Sequence, residues 1–214
     1  MTAPAPRTTA CPNCGAPVRF LWAQAVQTTC QYCKAVLVRR DLDLATIGQQ
    51  ANFPETGSPI QIGTEGKWRD QKFLVVGRLA YRWERGRWNE WHCRLANGHS
   101  AWLSDAQLEY AMSEAVAPQS PLPGARDVRV GTTIYWGDHA YEVATITRAE
   151  YLGTEGELPF TSLSREQSAF VDLQNDTGRF ATIDYADTPP TLYVGEYCSF
   201  ESLAFTNLRQ FEGW

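Results

Sequence analysis

The chain of 214 residues is long enough for one large domain, or for two small ones with an appendage. Its hydrophobic content of 43% and aromatic content of 12% are typical of a globular chain and exclude a wholly disordered one. No stretch has the roughly twenty apolar residues that a membrane-spanning helix needs, and the first residues lack the apolar core of a secretory signal, so we expect a cytoplasmic protein.

Charge is unevenly distributed, although the net charge is only −5. Residues 67–94 carry eight basic and three acidic side chains, whereas residues 95–214 carry six arginines and seventeen carboxylates. Such an asymmetry concerns the partners of a protein rather than its fold.

Four of the six cysteines form two C-x-x-C pairs separated by fifteen residues: Cys11, Cys14, Cys30 and Cys33. Two residues between the thiols let a tight turn direct both sulfurs at one ion, and Gly15 supplies the backbone conformation that such a turn needs. Two turns complete a tetrahedral shell of four thiolates with no open position. The pattern predicts one structural zinc ion per chain; a redox dithiol and a rubredoxin-type iron site are the alternatives.

Around these cysteines the sequence predicts a short disordered arm and a zinc ribbon, together spanning residues 1–40. Residues 17–22 with Val26 predict a hairpin, and residues 36–38 predict a third strand. Residues 41–58 are expected to form a linker, with a short helix that begins near Arg39 and ends at Gly48.

Two stretches of similar sequence follow, separated by a proline-rich linker at residues 117–124. At an offset of 68 residues, IQIGTEGKWRDQKFLVVG from Ile60 aligns with VRVGTTIYWGDHAYEVAT from Val128, with five identities. The alignment predicts a duplicated unit, over residues 59–116 and 125–214, in which a glycine leads into a strand, a turn and a second, alternating strand.

Eight tryptophans, nine tyrosines and nine phenylalanines favour β-structure, because aromatic rings suit a pleated, half-buried surface. The short strands and regular turns predict a mostly β fold: an N-terminal zinc ribbon followed by two similar small β-barrel or sandwich units. Helix is confined to the segment before Gly48 and to one capped turn at residues 104–107.

Four phrases occur together in this chain: CPNCG with CQYC, LVRRDLDLATIG, WNEWH, and GRFATIDYADTPPTLYVGE. In this combination, over about residues 8–211, the chain resembles the bacterial domain-of-unknown-function 4178 family. The resemblance implies a cytosolic bacterial protein with a zinc ribbon and β units and with no established activity. It also implies genes for small membrane proteins and polyamine-synthesis enzymes nearby, and it transfers no catalytic residue.

The sequence holds no recognisable catalytic motif. His92, His99 and His139 lack the paired spacing of an open metal site, and Cys93 and Cys198 lie in apolar runs typical of buried thiols. Three carboxylates of the second unit, Asp184, Asp187 and Glu196, lie among tyrosines as a weak acid/base candidate, for which a solvated acidic loop is the simpler explanation. We therefore expect a non-enzymatic zinc-binding adaptor or scaffold that binds protein partners through its β units.

The candidate partner-binding residues lie in a basic and aromatic hairpin: Arg82, Arg85, Arg87, Trp88 and Trp91. The partner expected here is another protein, including a membrane-associated one. Nucleic-acid binding through the ribbon and this hairpin is an alternative, which a pI near 5.3 disfavours. A second alternative is an enzyme linked to polyamine metabolism. The acidic second unit would attract cations, polyamines included, weakly.

Overall fold

The computed structural model describes residues 8–40, 43–49, 53–162 and 167–211. Over these residues the chain forms fifteen β-strands and no helix, so the predicted mostly β fold is confirmed. The described part of the chain therefore holds no helix with the length and apolarity needed to cross a bilayer. Residues 1–7 of the arm predicted at the start of the chain lie outside the described residues.

The first five strands build the ribbon around the cysteines. They are β1 (Thr8–Ala10), β2 (Pro17–Arg19), β3 (Gln27–Thr29), β4 (Ala35–Arg40) and β5 (Asp43–Gln49). β1 and β2 form an antiparallel pair, and β3, β4 and β5 form a three-stranded antiparallel sheet. The predicted third strand is confirmed within β4, but the predicted hairpin of residues 17–22 with Val26 is wrong, because β2 pairs with β1 instead.

The helix predicted between Arg39 and Gly48 is also wrong. The described residues of this segment lie in the antiparallel strands β4 and β5, in which Arg40 pairs with Asp43 and Leu37 with Thr46. The run Asp-Leu-Asp-Leu alternates with the period of two that a strand requires, and Leu44 packs against the ribbon core. The ribbon therefore extends beyond residue 40, into the predicted linker.

The other ten strands form one antiparallel sheet. They are β6 (Glu65–Trp68), β7 (Gln71–Trp83), β8 (Gly86–Leu95), β9 (Ser100–Ala106), β10 (Glu109–Val116), β11 (Thr133–Trp136), β12 (His139–Gly156), β13 (Gln167–Gln174), β14 (Arg179–Asp184) and β15 (Thr191–Cys198). The capped turn predicted at residues 104–107 is wrong: β9 reaches residue 106, and Gln107 and Leu108, both at positive φ, form the turn into β10.

This sheet closes on itself. Its strand order is β11-β12-β13-β14-β15-β10-β9-β8-β7-β6, and β12 also pairs with β7. The eight strands from β7 round to β12 therefore form a closed ring, called the barrel below, and β6 and β11 extend it as outer strands. The first half of β12 pairs with β13, and its end, from Glu150 to Gly156, pairs with β7.

The two predicted units share the barrel instead of closing separately. β7 pairs with β12 and β10 pairs with β15, so strands at corresponding positions of the two units meet at two seams. Pairing of this kind removes exposed strand edges. The sequence repeat has a local structural counterpart: Gly63 N donates to Val75 O and Gly131 N to Val143 O, each at 2.9 Å. That the complete units superpose stays a prediction.

Three apolar clusters fill the sheet. Phe73, Trp91 and Cys93 belong to the cluster on the outer face of unit one, and Tyr141 belongs to the corresponding cluster of unit two. The third cluster lies inside the barrel and includes Leu79, Tyr81, Trp102, Ala149, Leu158 and Phe170. Side chains of one strand alternate between an outer cluster and the barrel interior, so both faces of the sheet carry buried apolar side chains and neither is wholly solvent-exposed.

Candidate metal centre and barrel cavity

The four cysteines predicted as metal ligands converge. Their sulfur atoms all lie within 4.8 Å of one another, and the Sγ–Sγ distances are 3.8 Å both for Cys11 with Cys33 and for Cys14 with Cys30. The two loops that carry them have matching backbones, since Gly15 N donates to Cys11 O at 2.8 Å and Lys34 N to Cys30 O at 3.0 Å. Gly15 has a φ of 75°, as predicted for this turn.

This donor set suits a tetrahedral ion. Zinc–thiolate bonds of about 2.3 Å in a tetrahedron place the sulfurs about 3.8 Å apart, which is the separation seen in both pairs. Asn13 Nδ2 donates to Cys33 Sγ at 3.3 Å, and this bond, with one from the Ala35 backbone, lowers the pKa of the Cys33 thiol to about 6. The thiolate is the form that binds metal. The cluster is therefore compatible with a metal site.

The ribbon is joined to the barrel through Glu157, which follows β12 and is only 2% exposed. Its carboxylate accepts hydrogen bonds from Leu21 N at 2.5 Å and Trp22 N at 2.7 Å. Its own carbonyl accepts a bond from His92 Nδ1, and the His92 ring packs edge-on against Trp22. Burial outweighs the two N–H donors and raises the pKa of Glu157 to about 7.

Gln27 supplies a second connection between the ribbon and the barrel. Its backbone exchanges hydrogen bonds with Leu158, and its side chain exchanges two more with Ser162, each at 2.8 Å. The ribbon is thus packed on the barrel by buried polar contacts and does not sit on a free tether.

The structure separates the five predicted partner-binding residues. Arg85 is 74% exposed beside Glu84, and Arg87 is exposed, with no ion pair to any described residue. Arg82 is half-exposed and makes two hydrogen bonds to the Glu150 carboxylate, the shorter at 2.6 Å. These arginines lie at the turn of the β7–β8 hairpin, where Arg82 pairs with Arg87.

The two predicted tryptophans occupy opposite faces of β8. Trp88 is half-buried and stacks on Tyr81 with ring centroids 5.0 Å apart. Trp91 is fully buried in the core of unit one and donates its indole N–H to Asp105. Trp91 therefore cannot contact a partner at the surface, which corrects the sequence prediction for this residue.

Arg85, Arg87 and Trp88 line an open groove of about 810 Å³, called the groove below. Its opposite wall comes from unit two and includes Arg148 of β12 and Asp172 of β13. That wall could not be predicted from the sequence, because it depends on the β7–β12 seam between segments about seventy residues apart.

A smaller cavity of about 50 Å³, called the cavity below, lies inside the barrel. Glu90, Ser104 and Thr182 line both spaces, so the cavity adjoins the groove. Half of the residues that line it are aromatic: Tyr81, Trp102, Phe160, Phe170, Phe180 and Tyr193. Sequence reasoning did not identify it.

Glu90 is the central polar group of the cavity. Its two oxygens accept hydrogen bonds from Trp88 Nε1 at 2.8 Å and Ser104 Oγ at 2.7 Å. Desolvation raises the pKa of Glu90 to about 7, with a smaller contribution from the charges of Asp172 and Asp184. Glu90 nevertheless keeps partial solvent exposure, because it faces the cavity.

Of the three acidic candidates in unit two, one belongs to the cavity. Asp184 is 6% exposed, lines the cavity and accepts a bond from Ala186 N at 2.8 Å. Asp187 is exposed, and Glu196 accepts bonds from Trp68 and Arg69 near the β10–β15 seam. The structure thus does not bring the three carboxylates together.

A family model described as Domain of unknown function (DUF4178) matches residues 61–200. The chain belongs to this family. No curated protein and no solved structure matches the chain. The DUF4178 match covers the barrel strands and excludes the four cysteines. The support for a metal site in the ribbon therefore comes from the geometry of the cysteines alone.

Within the DUF4178 region, the neighbours His92 and Cys93 do not form a nucleophile–base pair. Cys93 lies in the outer apolar cluster, where burial raises the pKa of its thiol, whereas His92 faces the ribbon. Burial also lowers the pKa of His92 to about 4 and keeps the ring neutral. Both residues serve packing and hydrogen bonding in this position.

Proposed function

We propose that the protein is a non-enzymatic cytoplasmic adaptor, with a ribbon held by one structural zinc ion and a groove that binds a protein partner. The four thiols support zinc because they form a complete shell from the chain itself and leave no position for substrate or water. Such a shell stabilises folding and supplies no Lewis-acid site.

The observation that carries the partner role is the groove. Its volume of about 810 Å³ falls in the usual range for binding sites, about 300–1,000 Å³, and it is open along one side. Arg85, Arg87 and Arg148 line it together with Trp83 and Trp88, and the carboxylates of Glu84, Glu109 and Asp172 line it as well. A segment of another protein, membrane-associated or not, complements this surface if it sets acidic groups against the exposed arginines and apolar groups against the tryptophans.

The test begins with a partner identified by pull-down from the native host, after which its association rate with purified protein is measured at low and high salt. Arg85→Glu with Arg87→Glu should slow association at low salt by about tenfold or more, because charges at a rim mainly affect the encounter rate. Arg19→Glu with Arg126→Glu is the matched control, since both arginines are exposed and lie outside the groove.

Equal association rates for the groove variant and the wild type would overturn the proposed partner surface. Salt-dependent binding of a random single-stranded oligonucleotide, lost in the groove variant, would instead support the nucleic-acid alternative.

A further inference from the structure

The two outer strands of the sheet are β6 and β11, and their residues lie 68 positions apart, at the offset of the sequence repeat. The outer edge of β6 is covered by the segment that follows β15. Glu65 exchanges two backbone hydrogen bonds with Thr206, of 3.2 and 2.9 Å, and Lys67 N donates to Leu203 O at 2.8 Å. The outward N–H groups of β6 are therefore satisfied within the chain.

The outward backbone groups of β11 belong to Thr133 and Tyr135. Residues of an antiparallel strand alternate between facing their partner strand and facing away from it. Val143 N of β12 donates to Thr132 O, so Thr132 and Ile134 face β12, whereas Thr133 and Tyr135 face outward. The N–H and C=O groups of these two residues make no hydrogen bond to any residue of the described chain. Thr133 is exposed and Tyr135 is 70% exposed, so this edge is open to solvent.

The proline-rich linker contacts the end of β11 without pairing along it. Trp136 Nε1 donates to Ala117 O at 3.3 Å, and Gly137 N donates to the Gln119 side chain at 2.9 Å. Three of the eight linker residues are proline, which lacks the N–H that a strand partner supplies. The linker therefore touches the turn that follows β11 and leaves the strand edge for another chain.

The edge of β11 is self-complementary. If two copies meet antiparallel about a twofold axis at Ile134, Thr133 of each copy lies opposite Tyr135 of the other. Each of these two pairs then exchanges two backbone hydrogen bonds, and all four outward groups of each strand have partners. Threonine and tyrosine suit neighbouring positions on a sheet surface. Charged side chains, which often protect an open edge, do not occur in β11.

The charges on either side of β11 favour the same arrangement. Residues 126–129, which precede the strand, carry two arginines and one aspartate, and Asp138 lies in the turn that follows it. Arg129 and Asp138 are exposed, and neither forms an ion pair within the described residues. The Arg129 guanidinium donates only to the carbonyls of Arg126 and Val128. Antiparallel pairing brings the start of one strand to the end of the other, so Arg129 of each copy approaches Asp138 of its partner.

We propose that β11 is a dimerisation edge, at which two copies of this chain join their sheets by antiparallel pairing of Thr133 with Tyr135. The strand has four residues, so we expect the interface to be smaller than the roughly 1,600 Å² of a standard complex. The dimer is therefore weak and depends on concentration. The edge is separate from the proposed partner surface, because no residue of β11 lines the groove.

Sedimentation velocity of the full chain, from about 10 µM to about 1 mM, tests the proposal. The mean sedimentation coefficient should rise toward that of a dimer. Over the same range, NMR should show slower hydrogen exchange at the Thr133 and Tyr135 amides, whereas the Lys67 amide, already bonded to Leu203 O, should not change. A monomer at every concentration overturns the proposal, and so does a dimer that leaves the two amides unprotected.

Two substitutions at one position separate strand pairing from side-chain contact. Tyr135→Pro removes an N–H that bonds nothing in the monomer, and proline is tolerated in edge strands, so the fold should persist. The dimer Kd should rise at least about tenfold, because the partner carbonyls lose their donors. Tyr135→Thr keeps the N–H and should raise the Kd less than about threefold. Equal weakening by the two variants overturns strand pairing; near-ultraviolet circular dichroism checks their fold.

A charge reversal tests the antiparallel orientation without altering the strand. Asp138→Lys sets like charges against Arg129 of the partner at both ends, so it should raise the Kd about threefold or more at low salt and less at high salt. Asp70→Lys is the matched control, since Asp70 is exposed at the equivalent turn beside the covered strand β6. It should leave the Kd unchanged. Equal effects of the two variants, or no effect of Asp138→Lys at low salt, would contradict the proposed dimer.

Discussion

The ribbon buries a small apolar core around four sulfurs, whereas the sheet buries three apolar clusters, one inside the closed ring of strands and two on its outer face. The ribbon core has few residues, and two of them, Cys11 and Cys30, are themselves candidate ligands. We expect a core of that size to need a metal to persist and the barrel, with more buried apolar surface, to persist alone. The two regions meet at Glu157. Unfolding of the ribbon can be measured separately from unfolding of the barrel.

The largest difference between the regions should follow loss of one ligand. Cys30→Ser should reduce the metal content from about one zinc per chain to nearly none and unfold the ribbon, because a three-thiolate site binds zinc far more weakly. Metal analysis and the ordering of Trp22 in near-ultraviolet circular dichroism measure the two effects. Cys198→Ser, which changes a cysteine outside the cluster, should keep the zinc.

If the wild-type protein, purified without chelator, contains neither zinc nor iron, the metal site is refuted. Iron in place of zinc would favour the rubredoxin-type alternative. Loss of the barrel together with the ribbon would contradict the independence of the two regions.

The corresponding substitution in the barrel adds a single methyl group at the β7–β12 seam. A Cβ added at Gly77 would overlap the Glu157 carbonyl oxygen and cannot be accommodated without moving the seam. Gly77→Ala should lower the free energy of unfolding by about 3 kcal/mol, measured by urea denaturation. Gly57→Ala, where a Cβ meets no atom within 4 Å, should change the free energy by less than about 0.5 kcal/mol.

The contact between the ribbon and the barrel should be weakened by Glu157→Gln. The amide has one acceptor oxygen for two backbone N–H donors, so one of the bonds to Leu21 and Trp22 is lost in a buried site. We expect a loss of roughly 2–3 kcal/mol and faster hydrogen exchange at these two amides, with the barrel amides unchanged. Glu142→Gln, at an exposed position, is the control. Equal exchange in both variants would show that the carboxylate does not hold the ribbon.

The smallest expected effect concerns pH and the barrel interior. The folded-state pKa of Glu90 is about 7, above its ordinary value of 4.5, so the folded state holds the proton more tightly than the unfolded state. Stability from this group is therefore present at low pH and lost as pH rises through 7, by about 2 kcal/mol between pH 5 and pH 7. Urea denaturation across this range should show a shallower pH dependence in Glu90→Gln than in the wild type. A steeper or unchanged dependence would contradict the assignment.

The ribbon and the barrel also differ in what their sequences make predictable. The metal ligands could be predicted because each pair is three residues apart and folds into the same local turn. The helix predicted before Gly48 was wrong because so short a segment fits either period, and the pairing of residues 43–49 with β4 decided in favour of a strand.

The cavity could not be predicted because its polar groups come from β8, β10 and β14, which the seams bring together. Trp88 and Trp91 were predicted together as partner-binding residues, although alternation along a strand puts positions three apart on opposite faces. Alternation alone does not tell which face is accessible, since in this ring both faces are largely covered, by an outer cluster on one side and by the barrel interior on the other.

The two seams determine what happens if the backbone is cut in the exposed linker at residues 117–124. Each half would then present two bare strand edges, β7 and β10 on one side and β12 and β15 on the other. The halves supply each other's missing partners, so a nicked chain should remain assembled and separately expressed halves should complement one another on mixing. Either half alone would turn the same edges toward its own copies and aggregate. Although the barrel is one chain, its two halves associate as the subunits of a heterodimer do, and the linker at residues 117–124 joins them.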